Sequence, residues 1–208
     1  MIKVIGFDLD NTLYNQEIFE FEVFESISSM VSKKFHIDKD EYLEELKRLY
    51  YMREKNFFFD KAMINSYGKL PINWDIFVKE QVLNIYRDFI PKNISLYDGV
   101  NNTLKKLKDE NYRLTLITNG NSKIQNNKIV GLNICKYFDL ILISDDYKPR
   151  RRKPDTHMFE EALSFFNIHS SQMIYIGDDL NRDKASENIG IKFFNINEIN
   201  LNLIRELL

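Results

Sequence analysis

The sequence predicts an α/β protein: a Rossmann-like parallel sheet with helices on both faces, interrupted after its first strand by an all-helical insertion. Three observations predict it. From Asp98 onward, short β-rich apolar runs alternate with helical stretches, the pattern of strand–helix units in a parallel sheet. Residues 16–91 carry helical periodicity instead, with no strand alternation. Each strand-like run also stops at polar or acidic residues, and open α/β sheets bind their ligands at such strand ends.

The elements follow in order. "IKVIGF" (2–7) is a short apolar strand, closed by "DLDNT". After Gln16, a helix carries Ile18, Phe21, Val23, Phe24, Ile27, Met30 and Val31 as one apolar stripe. "DKDEYLEELKRLYYMREK" is a second helix, with Asp38 or Asp40 as its N-cap. "NWDIFVKEQVLNIYRDFI" is another helix, ending before Pro91, in a lobe of about four helices. The expected domains are therefore an α/β core of residues 1–15 and 92–208, and a helical insertion of residues 16–91, rich in Phe and Tyr. In the second part of the core, "DGVNNTLKKLKDEN", "SKIQNNKIVGL" and "DTHMFEEALSFF" are helices, and "RLTLIT", "FDLILIS" and "QMIYIG" are strands. A short helix near 183–189, the strand "KFFNI" and a C-terminal helix complete it.

Composition narrows the function classes. A chain of 208 residues buries enough surface to fold without disulfides or a structural metal. Its net charge of −2 argues against a general affinity for nucleic acid. The single cysteine, Cys135, excludes an intrachain disulfide and is expected to be a small buried apolar residue. No apolar run approaches the ~18 residues of a membrane span, and the N-terminus reads straight into a strand. A cytoplasmic protein, monomer or homodimer, with no membrane and no nucleic-acid partner, is the expectation.

The strand ends assemble a chemistry. Asp8 and Asp10 follow the first strand. Thr118, Asn119 and Gly120 follow the second. The third leads into the basic run "KPRRRKP" (148–154), and the fourth into Asp178, Asp179 and Asp183. Crowded carboxylates repel one another unless a hard divalent cation relieves them, and Mg²⁺ accepts a few carboxylates plus water and phosphate oxygens. Asp8, Asp178 and Asp183 are the natural ligands. A phosphate would find the Thr118 hydroxyl and the amides of the 119–120 turn, although a helix-capping role suits Thr118 equally well. A lysine from the basic run would balance the phosphate's remaining charge, and either Lys148 or Lys153 could supply it. Such an assembly serves phosphoryl transfer, where positioning and charge neutralisation dominate.

Four segments in this order resemble the motifs of the haloacid dehalogenase superfamily of phosphohydrolases: "DLDNT", "ITNG", a Lys-Pro pair and "GDDLNRD". The helical insertion resembles that superfamily's type-1 cap. The Thr-Asn-Gly ending is similar to the branch that contains pyrimidine 5'-nucleotidases and acylneuraminate-9-phosphatases. The resemblance implies that Asp8 is the nucleophile, forming an aspartyl-phosphate. Asp10 would be the general acid and base, with its backbone carbonyl on Mg²⁺. Thr118, Asn119 and Gly120 would bind phosphate, Asp178 would bind the metal, and Asp183 would support the metal or the lysine. It also selects Lys153, because the family's lysine precedes a helix and "KPDTHMFEEAL" fits, with Pro154 in the first helical turn. The preceding "DDYKPRRR" departs from the short glycine-containing link of many relatives. Dehalogenases lack the second aspartate of the first motif, so Asp10 favours phosphatase chemistry.

A Mg²⁺-dependent phosphatase of a small phosphorylated metabolite, a nucleoside monophosphate or a sugar phosphate, is the reading this supports. The alternatives are a phosphomutase of the same superfamily, or a silent relative that binds a partner through its basic loop. Arg150, Arg151 and Arg152 are expected to form a solvated loop face. Phe57, Phe58 and Phe59 are expected in the core of the insertion, and Tyr51, Arg53 and Lys55 are its candidates for specificity. His36, His157 and His169 are scattered and carry no assigned role.

Overall fold

A computed structural model describes residues 1–54 and 56–199. The chain divides into two compact units, one of Met1–Gln16 with Ile94 onward, the other Glu17–Asn93. The first unit holds five parallel strands: β1 (Val4–Phe7), β2 (Arg113–Thr118), β3 (Leu140–Ile143), β4 (Met173–Gly177) and β5 (Lys192–Asn195). Their order is β3-β2-β1-β4-β5. The chain thus runs outward from β1 to β3, then returns to place β4 on the other side of β1. That reversal is the topological switch point at which ligands bind in such sheets.

The helical insertion, the second unit, contains α1 (Gln16–Phe35), α2 (Lys39–Tyr51), α3 (Phe58–Tyr67), α4 (Trp74–Phe77) and α5 (Leu83–Asp88), with α1 entering from the first unit at Gln16. In the core follow α6 (Val100–Asp109), α7 (Ser122–Gly131) and α8 (His157–Phe166). All four residues of β1 and all five of β4 are buried, so both faces of the sheet are covered. On one face Val4, Ile117, Leu142, Met173, Tyr175 and Phe193 form a core with Met158, Phe159 and Ala162 of α8. Glycine at position 6 leaves room on this face: a Cβ there would meet Tyr175 Cδ2 at 2.7 Å.

Local chemistry explains the helices. Asp38, not Asp40, caps α2, its carboxylate accepting the Glu41 amide at 2.8 Å, and Tyr42, Leu43, Leu46 and Leu49 then share the buried face. The stripe of α1 runs through Phe19, Val23, Phe24, Ile27 and Val31. Ile18 lies outside it at 37% exposure.

The helix expected over 73–90 runs without a gap over Trp74–Asp88, with a π-helical segment, Val78–Val82, inside it. The wider turn brings Val82 back onto the face of the buried Phe77, where a regular α-helix would present the exposed Gln81. Two expectations are corrected. Cys135 is exposed, because it sits in a one-turn 3₁₀ segment beyond α7 rather than in an element with a buried face. Phe57 is 74% exposed, because it precedes α3 in a left-handed conformation, while Phe58 and Phe59 line a cavity of this unit with Phe24, Tyr50 and Tyr86. Tyr51 and Arg53 are exposed; Lys55 and the C-terminal helix lie outside the described residues. No described helix is long and apolar enough to cross a membrane.

Candidate active site

Asp8 continues β1 directly, its amide donating to the Ile176 carbonyl of β4 at 2.9 Å. Its carboxylate therefore sits at the switch point, 7% exposed. Lys153 reaches it from the far side. The Lys153 ammonium is 2.7 Å from Asp8 Oδ1 and 2.6 Å from Asp183 Oδ1. It also lies 2.9 Å from the Tyr175 hydroxyl, which itself donates to the Ile117 carbonyl at 2.8 Å. The Ile117 carbonyl is also 3.0 Å from the ammonium, so three ammonium hydrogens are shared among two carboxylates, a hydroxyl and a carbonyl, with Lys153 only 4% exposed.

The backbone of Lys153 is fixed by Asn119. Its amide donates to Asn119 Oδ1 at 2.8 Å, and Asn119 Nδ2 donates to its carbonyl at 2.9 Å. This clamp corrects the expected helix start. The Lys153 carbonyl is occupied by a side chain and accepts no helical amide, so α8 begins only at His157 and Pro154 lies in the turn before it. Met158 and Phe159 do open the buried face of α8.

Asp183 is held at both oxygens, by Lys153 on Oδ1 and by the Asp179 amide at 3.0 Å on Oδ2. Asp179 turns outward, its carboxylate accepting the amides of Asn181 and Arg182. The glycine of "GDDLNRD" has a steric reason. A Cβ on Gly177 would stand 2.3 Å from Asp183 Oδ2, and Asp183 is pinned where it is. Gly177→Ala is therefore expected to destabilise the fold by about 1–3 kcal/mol. Urea unfolding measures this, and an unchanged midpoint would show that Asp183 can step aside.

Oxygen atoms of Asp8, Asp178 and Asp183 lie within 4.8 Å of one another. Burial first, then Lys153 in opposition, then the charges of Asp183 and Asp10 act on Asp8, and its acidity is weakened overall. The Asp178 carboxyl is pushed up to about 6, by burial and then by Asp183 and Asp179. Hard oxygen donors that are protonated too easily when alone are the set a divalent cation such as Mg²⁺ fits. The carboxylate of Asp10 is not in this cluster. It turns away to Lys128 and Gln125 of α7 and to Tyr14.

Thr118 Oγ1, 1% exposed, accepts from Gln125 Nε2 at 2.7 Å. It is not the cap of α7; Asn121 is, accepting the amides of Lys123 and Ile124. The Gly120 amide donates to Ser144 Oγ at 3.0 Å. Ser144 opens the loop that carries the basic run. The side chains of Arg150, Arg151 and Arg152 are 68%, 42% and 52% exposed, the solvated face expected, and each also meets a carboxylate. Arg152 donates twice to Asp145, at 2.8 and 2.7 Å, Arg150 lies 3.4 Å from the same carboxylate, and Arg151 pairs with Asp155. Asp145 is only 6% exposed at its side chain, so the loop is folded back onto the end of β3.

Sequence reasoning did not identify Tyr14, Gln125, Lys128 and Tyr175. A signal existed for three of them. Gln125 and Lys128 are one turn apart on α7 and share its buried side with Ile129, an unusual place for polar residues. Tyr175 stands two residues before Gly177 in a strand with no solvent-facing side, where a hydroxyl needs a partner.

The haloacid dehalogenase-like hydrolase profile matches residues 5–196. The glyceraldehyde 3-phosphate phosphatase of Pyrococcus furiosus is 29% identical over 205 residues, covering 92% of this chain and 79% of that protein. A phosphoglycolate phosphatase of Nitrosococcus oceani is 32% identical over 114 residues, 54% of this chain and 50% of its own. Among solved structures, a putative β-phosphoglucomutase of Thermotoga maritima aligns over 100% of both chains, with a TM-score of 0.71 and 19% identity. A phosphatase of the same superfamily from Thermococcus onnurineus covers 99% of this chain and 97% of its own, with a TM-score of 0.68 and 21% identity. These two likenesses concern the fold.

Proposed function

The chain belongs to the haloacid dehalogenase-like hydrolase family, and we propose that within it the protein is a Mg²⁺-dependent phosphoric monoester hydrolase of small phosphorylated metabolites. The observation that carries this is the buried Lys153 ammonium, bridging Asp8 and Asp183 beside Asp178. Relatives named as phosphatases of glyceraldehyde 3-phosphate and phosphoglycolate support the substrate class.

Asp8 is the nucleophile. Lys153 fixes one of its oxygens and leaves the other to attack phosphorus. Thr118 and the Asn119 amide take phosphate oxygens, and the Gly120 amide joins them on leaving Ser144. Asp10 handles the proton of the leaving group and then of the attacking water. Asp8 and Asp178, with the Asp10 carbonyl, would hold Mg²⁺, and Asp183 supports them through Lys153. When bound, the cation neutralises charge on the transferring phosphoryl group. The exposed free thiol of Cys135 suits a reducing, cytoplasmic setting.

The test is kcat/KM over a panel: glyceraldehyde 3-phosphate, phosphoglycolate, nucleoside monophosphates and hexose phosphates, with and without Mg²⁺. Release of inorganic phosphate from at least one, with kcat/KM of about 10⁴ M⁻¹s⁻¹ or more, is expected. Transfer between positions of one sugar, with no inorganic phosphate released, would favour the phosphomutase instead.

Metal binding carries a pH signature. The Asp178 carboxyl titrates at about 6 in the folded chain, against 3.8 ordinarily. Its contribution to the stability of the metal-free fold is therefore complete below the ordinary value and lost as pH rises through 6. Mg²⁺ needs the ionised form, so it should raise Tm clearly at pH 7 and little at pH 5. An equal rise at both values, read by thermal melts, would remove Asp178 from the ligand set.

A further inference from the structure

Helix α7 buries two polar side chains that both reach Asp10. Lys128 is 2% exposed and Gln125 is 1% exposed. Lys128 Nζ donates to Asp10 Oδ1 at 2.8 Å, and Gln125 Nε2 donates to Asp10 Oδ2 at 3.0 Å. The Tyr14 hydroxyl donates to Oδ1 at 2.6 Å. Gln125 Nε2 also donates to Thr118 Oγ1, so one amide spans the carboxylate and the phosphate-binding hydroxyl. Lysine is rarely buried this completely, and a helix has solvent-facing positions where it would lose no hydration.

We propose that Lys128 and Gln125 are positioning residues for Asp10, holding its carboxylate in one plane with Oδ2 as the oxygen that passes the proton. The inference rests on the phosphatase reading above. A carboxylate offers two acceptor sites on each oxygen. Among the described residues, Oδ1 accepts two donors, Tyr14 and Lys128, and Oδ2 accepts one, Gln125. The site left on Oδ2 is where a proton can be held.

The proton's course is fixed by the reaction. In the first half, an Asp8 oxygen bonds to phosphorus and the bond from phosphorus to the leaving oxygen breaks. That oxygen keeps the electron pair and takes the proton from Asp10. In the second half, Asp10 takes a proton from water as the water oxygen bonds to phosphorus and the bond to Asp8 breaks. Both transfers need the carboxylate at one place, and a displacement of about 1 Å costs on the order of 10²-fold in rate.

The leaving group separates positioning from mere structural support. Glycerol phosphate expels an alkoxide that needs a proton, whereas p-nitrophenyl phosphate expels a phenolate that does not. The comparison uses kcat/KM with Mg²⁺, which reports the half-reaction that expels the leaving group. Lys128→Met and Gln125→Leu should each lower the value for glycerol phosphate by about 10²-fold. The value for p-nitrophenyl phosphate should fall at least about tenfold less. Lys128→Arg should recover most of the difference, and Lys128→Met should add no further loss on glycerol phosphate in an Asp10→Asn background. If Lys128→Met fails to fold, Lys128→Gln keeps a donor and reads the same ratio. Equal losses on both esters, no loss on either, or losses that add to Asp10→Asn would overturn the proposal. A wild-type protein that hydrolyses neither ester would overturn the phosphatase reading itself, and this inference with it.

Discussion

Asp8→Asn is expected to abolish turnover, with a loss of about 10⁴-fold or more on every ester the wild type hydrolyses. The substitution is isosteric and removes only the charge and the nucleophilic oxygen. The fold should not suffer. Asp8 is buried beside Asp183 and Asp10, and both charges disfavour its ionised form. A neutral amide there relieves that repulsion and still accepts a hydrogen from Lys153. The metal-free variant should therefore melt at or above the wild-type temperature while its activity disappears. Full activity in Asp8→Asn, measured with Mg²⁺ on an aryl phosphate, would show that another group attacks phosphorus.

Lys153→Met reverses that pattern, because stability and activity should fall together. Without the ammonium, Asp8 and Asp183 remain 7% and 1% exposed with no counter-charge between them. Breaking a buried pair by removing one partner destabilises by about 3–5 kcal/mol. For a chain of this size that lowers Tm by roughly 10 °C. Turnover should fall by about 10²–10³-fold, the loss seen when a positioned donor at a developing charge is removed. Lys148→Met is the control. Lys148 is exposed, so its loss should stay within about 0.5 kcal/mol and leave turnover unchanged. Comparable losses in the two variants would mean that the active lysine had been chosen from the wrong Lys-Pro pair.

The groups at the strand ends were legible because a parallel sheet orders its own chemistry. Once "IKVIGF", "RLTLIT" and "QMIYIG" are read as strands, Asp8, Thr118 and Asp178 must share one edge, whatever separates them in sequence. Lys153 was harder, since two Lys-Pro pairs lie in one run. Resemblance selected it, although Pro154 does not open α8 as that argument supposed. The structural ground is different: the side chain of Asn119 grips both backbone groups of Lys153, and Tyr175 receives its ammonium. Periodicity carries no sign of such side-chain-to-backbone clamps.

Taken by itself, the sequence determined the α/β class, the helical insertion and the residues that meet at the sheet edge. Those follow from hydrophobic period and strand order, which local patterns encode. Only the tertiary structure decided where each carboxylate points. Asp8 and Asp10 are two residues apart on one strand end, yet Asp8 faces Lys153 and Asp10 faces Lys128. It also decided that Arg150 and Arg152 of the basic run meet Asp145, while Arg151 meets Asp155. The physical reason is the same in each case. A buried charge is tolerated only where an opposite charge or a hydrogen-bond donor meets it, and those partners come from segments far away in the chain.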